Sequence, residues 1–244
     1  MTGATVLQVR NLTVDYAGNR ALAIDDFTLN EGALVGVVGA NGAGKSTFAN
    51  AMLGWSRGTP TVVGQVLLDG EDISRLSTPE RVRRGLLLIP ENELVFTQMS
   101  VAENLDHAAD PGRAAGRRAY TADEIYDLFP NLSERRDHLG GQLSGGERQM
   151  LGIARALRLA PRVLMLDEPS IGLAPKLVST VLATVRNLVD AGLTVLLIEQ
   201  NVRAAIRVVD RLVLLERGRV LAAGPVNEMK DDPRVAAAYL GTNA

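Results

Sequence analysis

The chain has 244 residues, of which 46% are hydrophobic and 22% charged, a globular composition that fits one large α/β domain or two small ones. Its formal net charge of -2 disfavours nucleic acid as a primary partner, and the absence of cysteine rules out disulfides and thiolate metal sites. No signal peptide is expected, and no apolar run reaches the roughly 18 residues needed to cross a bilayer, so work at a membrane would require another chain as anchor.

In chain order, residues 5–16 read as extended from their β-branched content. The continuous apolar run 33–39 reads as a buried strand, followed by a glycine-rich loop and a helix over about 45–53. The loop Gly39-Ala40-Asn41-Gly42-Ala43-Gly44-Lys45-Ser46 matches G-x-x-x-x-G-K-[ST]. Glycines there let successive N–H groups face phosphate oxygens with no Cβ in the way, and the following helix adds its positive end. Lys45 would reach the β- and γ-phosphates of a nucleotide, and the Ser46 hydroxyl would sit on Mg²⁺. Only Lys45, Lys176 and Lys230 are lysines, so a lysine in a glycine loop is not background here.

Further strands are expected at 62–68 and 86–90. From about 97 to 159 strand signals stop, and helical patterns follow at 100–108, 121–129 and 145–159, interrupted by the Pro/Gly/Arg/Ala-rich stretch 109–119. This reads as a helical insertion, at about 91–159, within an α/β core formed by about 1–90 and 160–244. The apolar strand 163–167, the helical stretch 175–190 and the strand 194–198 form the pattern of a parallel βαβ unit. The strand 211–216 enters a hairpin through Glu216–Gly218, and Asp232–Pro233 breaks the helical tail.

The strand 163–167 ends in Asp167 and Glu168. C-terminal strand ends of a parallel sheet face the ligand crevice, so both acids should arrive beside the phosphate loop. Asp167 suits a Mg²⁺ shell, and Glu168 is placed to orient or deprotonate an attacking water. These motifs alone imply a nucleoside triphosphatase and leave a kinase or a GTPase open.

The stretch Leu143-Ser144-Gly145-Gly146-Glu147-Arg148-Gln149 narrows this. By itself, Ser144 with Glu147 three residues on is an ordinary capping box. It also offers a hydroxyl, exposed glycine N–H groups and a helix N-terminus, the parts of a second anion site. Placed between the phosphate loop and the acidic strand, it resembles the LSGGQ or LSGGE signature of the ABC transporter ATPase family, and the resemblance extends over essentially the whole chain.

The resemblance implies a P-loop NTPase (RecA-like) α/β core with an N-terminal antiparallel β-subdomain and an inserted α-helical subdomain. It implies two ATP bound head to tail between two subunits, each contacted by Gly39, Asn41, Gly42, Ala43, Gly44, Lys45, Ser46 and Thr47 of one subunit and by Ser144, Gly145 and Gly146 of the other. A monomer should then hydrolyse poorly. Tyr16 matches the aromatic that stacks on adenine, although an ordinary strand tyrosine would look the same. Ser170–Leu173 occupies the D-loop position with an altered ending and receives no firm role. The expected partners are a second ATPase subunit, identical or a paralogue, and transmembrane permease subunits, with the chain lying on the inner face of the cell membrane.

Two positions depart from the family pattern. Glu91 follows Pro90 where the family usually has a glutamine at the metal, and Gln200 stands where a switch histidine is usual. A carboxylate serves a hard cation at least as well as an amide, whereas Gln200 can donate to a γ-phosphate oxygen and carries no proton. Neither His107 nor His138 lies nearby in sequence, so no pH step near 6.5 is expected from this position. The strings IPENELVFTQMSVAENL, LDEPSIGLAPKLV and LLIEQNV look like the smaller ATPase subunit of branched-chain amino acid importers; urea or amide importers are close relatives. A soluble ABC ATPase of translation or DNA repair would carry two ATPase halves or long coiled-coil insertions, and neither occurs.

Overall fold

A computed structural model describes residues 3–91, 95–108 and 116–240. Part of the expected break at 109–119 lies outside the described residues. The first elements are β1 (Thr5–Tyr16), β2 (Asn19–Asn30), β3 (Leu34–Val38), α1 (Lys45–Leu53), β4 (Thr61–Leu68) and β5 (Glu71–Asp72). Next come α2 (Thr78–Arg83), β6 (Leu86–Ile89), α3 (Val101–Ala108), α4 (Ala122–Leu128), α5 (Pro130–Glu134) and α6 (Gly145–Arg158). The chain continues through β7 (Val163–Asp167), α7 (Pro175–Asp190), β8 (Val195–Glu199), α8 (Val202–Ala205) and β9 (Arg211–Glu216). It closes with β10 (Arg219–Pro225), α9 (Val226–Met229) and α10 (Pro233–Leu240).

Two sheets result, one of four strands in the order β2-β1-β4-β5 and one of six in the order β10-β9-β3-β8-β7-β6. In the larger sheet β9, β3, β8, β7 and β6 run parallel, and β10 returns antiparallel to β9. Three hairpins among the described residues turn through two residues of positive φ: Ala17–Gly18 (48° and 84°), Asp69–Gly70 (50° and 81°) and Arg217–Gly218 (48° and 76°). That is the backbone sense that matches the twist of the flanking strands.

Every residue of β3, β7 and β8 is buried, which explains their unbroken apolar character. The two-residue period of a strand sends alternate side chains to opposite faces. Leu34, Val38, Leu164, Leu166, Val195 and Leu197 join a core with residues of α6 and α7. Val35, Val37, Val163, Met165, Leu196 and Ile198 join a second core with α1 and the four-stranded sheet. Phe27 of β2 meets Phe48 of α1 edge to face at 5.2 Å, fixing the four-stranded sheet against the first helix. Burying such a ring contributes roughly 2–3 kcal/mol.

The bounds of β1, α1, β7, α7 and β9 are those expected. The strand expected at 194–198 lies one residue later, at Val195–Glu199, where Glu199 extends the sheet register opposite Val38. No strand was expected over 19–30, where Asp25 and Asp26 interrupt the alternation; β2 forms there because it pairs along the length of β1. Among the described residues no helix is long and apolar enough to cross a membrane.

Candidate active site

β3 delivers the glycine loop and β7 delivers the two acids, with β8 between them in the sheet. Gly39 must be glycine: a Cβ there would lie 2.3 Å from the Leu215 carbonyl oxygen. Gly42 and Gly44 have φ of 79° and 99°, the left-handed region that side-chain-bearing residues avoid. The Ala43 N–H turns back to Ala40 O at 3.1 Å, and the Ala43 carbonyl accepts from Gly218 N–H at 2.9 Å, tying the loop to the β9–β10 hairpin. Among the described residues, the amides of Gly42, Gly44, Lys45, Ser46 and Thr47 have no acceptor in the protein. No acidic residue occupies the first turn of α1, so its positive end is unopposed by its own side chains. A cradle of this kind fits an anion.

Lys45 is buried, with 4% of its surface exposed. Its Nζ donates to Gly39 O at 2.9 Å and Ala40 O at 3.2 Å and pairs with Glu168 Oε1 at 3.1 Å. The Ser46 hydroxyl donates to Asp167 Oδ1 at 3.2 Å. Burial pushes the Asp167 carboxyl up to about 6, helped by the charges of Glu168 and Glu91, while Ser46 and Lys45 pull it back. Clustered carboxylates beside a hydroxyl oxygen are the chemistry a small hard cation relieves. Among the described residues no group of three or more His, Cys, Asp or Glu forms a metal cage. Mg²⁺ takes one or two carboxylates plus phosphate and water oxygens, so the donors Ser46, Asp167 and Glu91 fit it.

Asn41, Gly42, Gly44, Lys45, Ser46, Thr47, Glu91 and Glu168 line one cleft of 730 Å³. A cleft of 800 Å³ shares Ser46, Thr47 and Glu91 and adds Asp167, Trp55 and the half-buried Tyr16. The structure thus brings together the expected loop, acid and aromatic residues except Gly39 and Ala43, which line neither cleft. It does not bring Ser144, Gly145 or Gly146 to that place; none of them lines either cleft. Ser144 is exposed and caps α6, accepting from Glu147 N–H at 3.3 Å while its own N–H donates to Glu147 Oε2 at 2.7 Å. Gln200 follows the end of β8, between the strands that carry the loop and the acids, and its carbonyl accepts the Val202 N–H at 2.9 Å. Its side chain lines neither cleft, nor do His107 and His138.

Among the buried polar side chains that sequence reasoning missed, two bond the segment that follows Glu168. Glu199 is 1% exposed; it accepts from Ser170 N–H at 3.1 Å, Ser170 Oγ at 2.9 Å and Asn201 N–H at 3.2 Å. Burial pushes its carboxyl above the ordinary range, against those hydrogen bonds. Gln149 is 5% exposed and donates from Nε2 to Pro169 O at 2.8 Å. The available signal was a charged residue closing the apolar strand Val195–Ile198, the same pattern that marked Asp167.

The family model described as "ABC transporter" matches residues 22–171, more than half of the chain. The chain belongs to the ABC transporter ATPase family. Among relatives of this ABC ATPase, the high-affinity branched-chain amino acid transport ATP-binding protein BraG of Pseudomonas aeruginosa is 35% identical, covering 97% of this chain and 100% of that one. The lipopolysaccharide export system ATP-binding protein LptB of Haemophilus influenzae is also 35% identical, covering 97% and 98%. A crystal structure of an ATP-binding cassette of an ABC transporter in its ADP conformation superposes with a TM-score of 0.81 at 25% identity, covering 97% and 99%. The α/β architecture is accordingly that of a P-loop NTPase, and the ABC ATPase binds and hydrolyses ATP as a transporter subunit.

Proposed function

We propose that this ABC ATPase powers an importer for branched-chain amino acids. It works as one of two ATPase subunits, identical or paralogous, docked beneath transmembrane permease subunits on the inner face of the cell membrane. The observation that carries the paired arrangement is the placement of Ser144: it stands exposed at the N-terminus of α6, outside the cleft of its own chain. Gly145 beside it is half-buried and Gly146 buried, so in this reading a neighbour's phosphate meets the turn at Ser144.

In this reading the loop amides of Gly39–Thr47 receive the phosphates, and Tyr16 stacks on adenine. Lys45 exchanges its ion pair with Glu168 for the β- and γ-phosphate oxygens, which frees Glu168 to orient and deprotonate water. Ser46, Asp167 and Glu91 would hold Mg²⁺, whose charge when bound offsets that of the phosphate oxygens. Gln200 donates its amide to the γ-phosphate, and Ser144, Gly145 and Gly146 of the other subunit close the site.

The substrate assignment rests on the full-length similarity to BraG together with Glu91 and Gln200 in place of the usual glutamine and histidine. The equal identity to LptB supports a second reading, export of lipopolysaccharide; an importer of urea or amides, or a soluble ABC ATPase outside transport, would be further outcomes. The test is uptake of labelled leucine, isoleucine and valine by cells lacking the gene. The expected result is loss of high-affinity uptake, restored by the wild-type chain and not by Glu168→Gln. Unchanged uptake, with ATPase activity intact in the purified chain, would overturn the substrate and leave the enzyme.

A further inference from the structure

Three consecutive residues at the end of β7 are each held from a different direction. Glu168 has a φ of 50°, unusual for a residue with a side chain, and its N–H donates to Ile198 O at 2.9 Å. Pro169 offers its carbonyl to the amide of Gln149, which projects from α6. Ser170 donates through both its N–H and its hydroxyl to Glu199 at the end of β8. The same carboxylate takes the Asn201 N–H, so it also fixes the residue after Gln200.

Burying a carboxylate or an amide costs several kcal/mol unless its hydrogen-bonding capacity is met. Neither Gln149 nor Glu199 lines the phosphate cleft, so binding the nucleotide does not explain them. What both do is pin the turn that aims the Glu168 carboxylate. We propose that Glu199 and Gln149 are positioning residues forming a clamp on Glu168–Ser170, which couples the Ser144–Gly146 end of α6 and the Gln200 corner to the carboxylate that activates water. Gln149 lies in α6 five residues after Ser144, so contact of that helix end with a neighbour's phosphate is relayed along a hydrogen-bonded helix to Pro169. The proposal rests on the reading of Glu168 given above and deepens it.

The geometry dictates the test. A carboxylate at 199 meets three donors; an amide there turns one N–H group toward another. Steady-state ATPase kinetics and nucleotide binding are measured on the full chain for wild type, Glu168→Gln, Glu199→Gln, Ser170→Ala, the double variant Glu199→Gln/Ser170→Ala, and Gln149→Leu, with melting temperatures alongside. The clamp predicts a kcat about ten-fold lower in Glu199→Gln and in Ser170→Ala, since a displacement of about 1 Å at a reacting group costs that much or more. KM and Kd for ATP should stay within about two-fold, the split expected when positioning rather than binding is lost. The double variant should be no slower than Glu199→Gln alone, because the Ser170 hydroxyl acts through that same carboxylate. Gln149→Leu should also lower kcat with ATP binding kept.

Unchanged kcat in Ser170→Ala overturns the clamp, and this variant serves if Glu199→Gln does not fold. Additive losses in the double variant overturn it equally, as does a loss that appears in Kd and melting temperature in proportion to kcat. In each of these cases Glu168→Gln remains inactive and the underlying reading stands. A Glu168→Gln chain that keeps wild-type turnover removes both.

Discussion

Glu168 is held by opposite needs in the two states of its site. It pairs with Lys45 at 3.1 Å, and the pair is almost fully enclosed. In Glu168→Gln the lysine keeps its two carbonyl acceptors, Gly39 and Ala40, so the fold should survive the change. Turnover should fall by roughly 10²–10⁴-fold, the size of a lost general base, while ATP binding is retained. Single-turnover hydrolysis set beside equilibrium nucleotide binding checks this; a variant with normal turnover removes Glu168 from its role.

Glu199 makes a prediction about pH. Burial raises its folded-state carboxyl above the ordinary value of 4.5, and the charge of Glu168 adds to the rise. The folded chain therefore binds this proton where the unfolded chain has already released it. Linkage then gives a contribution that weakens the fold above the folded pKa and fades as pH falls toward the unfolded value. Wild type should gain stability relative to Glu199→Gln on going from neutral pH to about pH 5. Denaturant titrations of both proteins at the two pH values measure this, and a difference that is flat or of opposite sign contradicts it.

At the scale of elements, one end of α6 carries its cap and, in the proposed function, a contact with a neighbour's phosphate. Ser144 caps it through reciprocal bonds with Glu147, and Arg135 pairs with Glu147 at 2.8 Å. Loss of such a cap costs about 1 kcal/mol. Ser144→Ala should lower stability by about that amount. If Ser144 also meets a neighbour's phosphate, hydrolysis should drop by more than the melting temperature accounts for. A melting shift with full ATPase activity would leave the capping role alone.

The glycine loop, the acidic strand end and the signature turn are contiguous strings whose chemistry is local, so they were legible in the sequence, as was β7 with its unbroken apolar run. The β2 strand was not, because Asp25 and Asp26 break its period and its formation depends on a partner strand already in place. Glu199 and Gln149 were hidden for a related reason. Their meaning lies in bonds to Ser170 and Pro169, 29 and 20 residues away in the chain, and no spacing rule encodes such an encounter. Gln200 was legible as a departure from the family pattern, and the fold sets it at the strand end between the loop and the acids, with its side chain outside both clefts.

For the whole molecule, Ser144–Gly146 lie outside the clefts of their own chain, and under the proposed pairing activity belongs to two chains together. The specific ATPase activity of the isolated chain should rise with protein concentration and level off once pairing is complete, because mass action governs the missing half of each site. Activity per molecule that is constant over a wide dilution series would show that one chain suffices. The net charge of -2 gives two copies little reason to attract or repel each other at long range, so nucleotide rather than bulk electrostatics should control the association.

The contact between Lys45 and Glu168 has a consequence for a motor that must idle between cargoes. In the proposed mechanism the base that would activate water and the cation that would draw in the phosphates hold each other, and a triphosphate must part them before either can act. Fuel arriving at such a site would arm the engine by the act of binding.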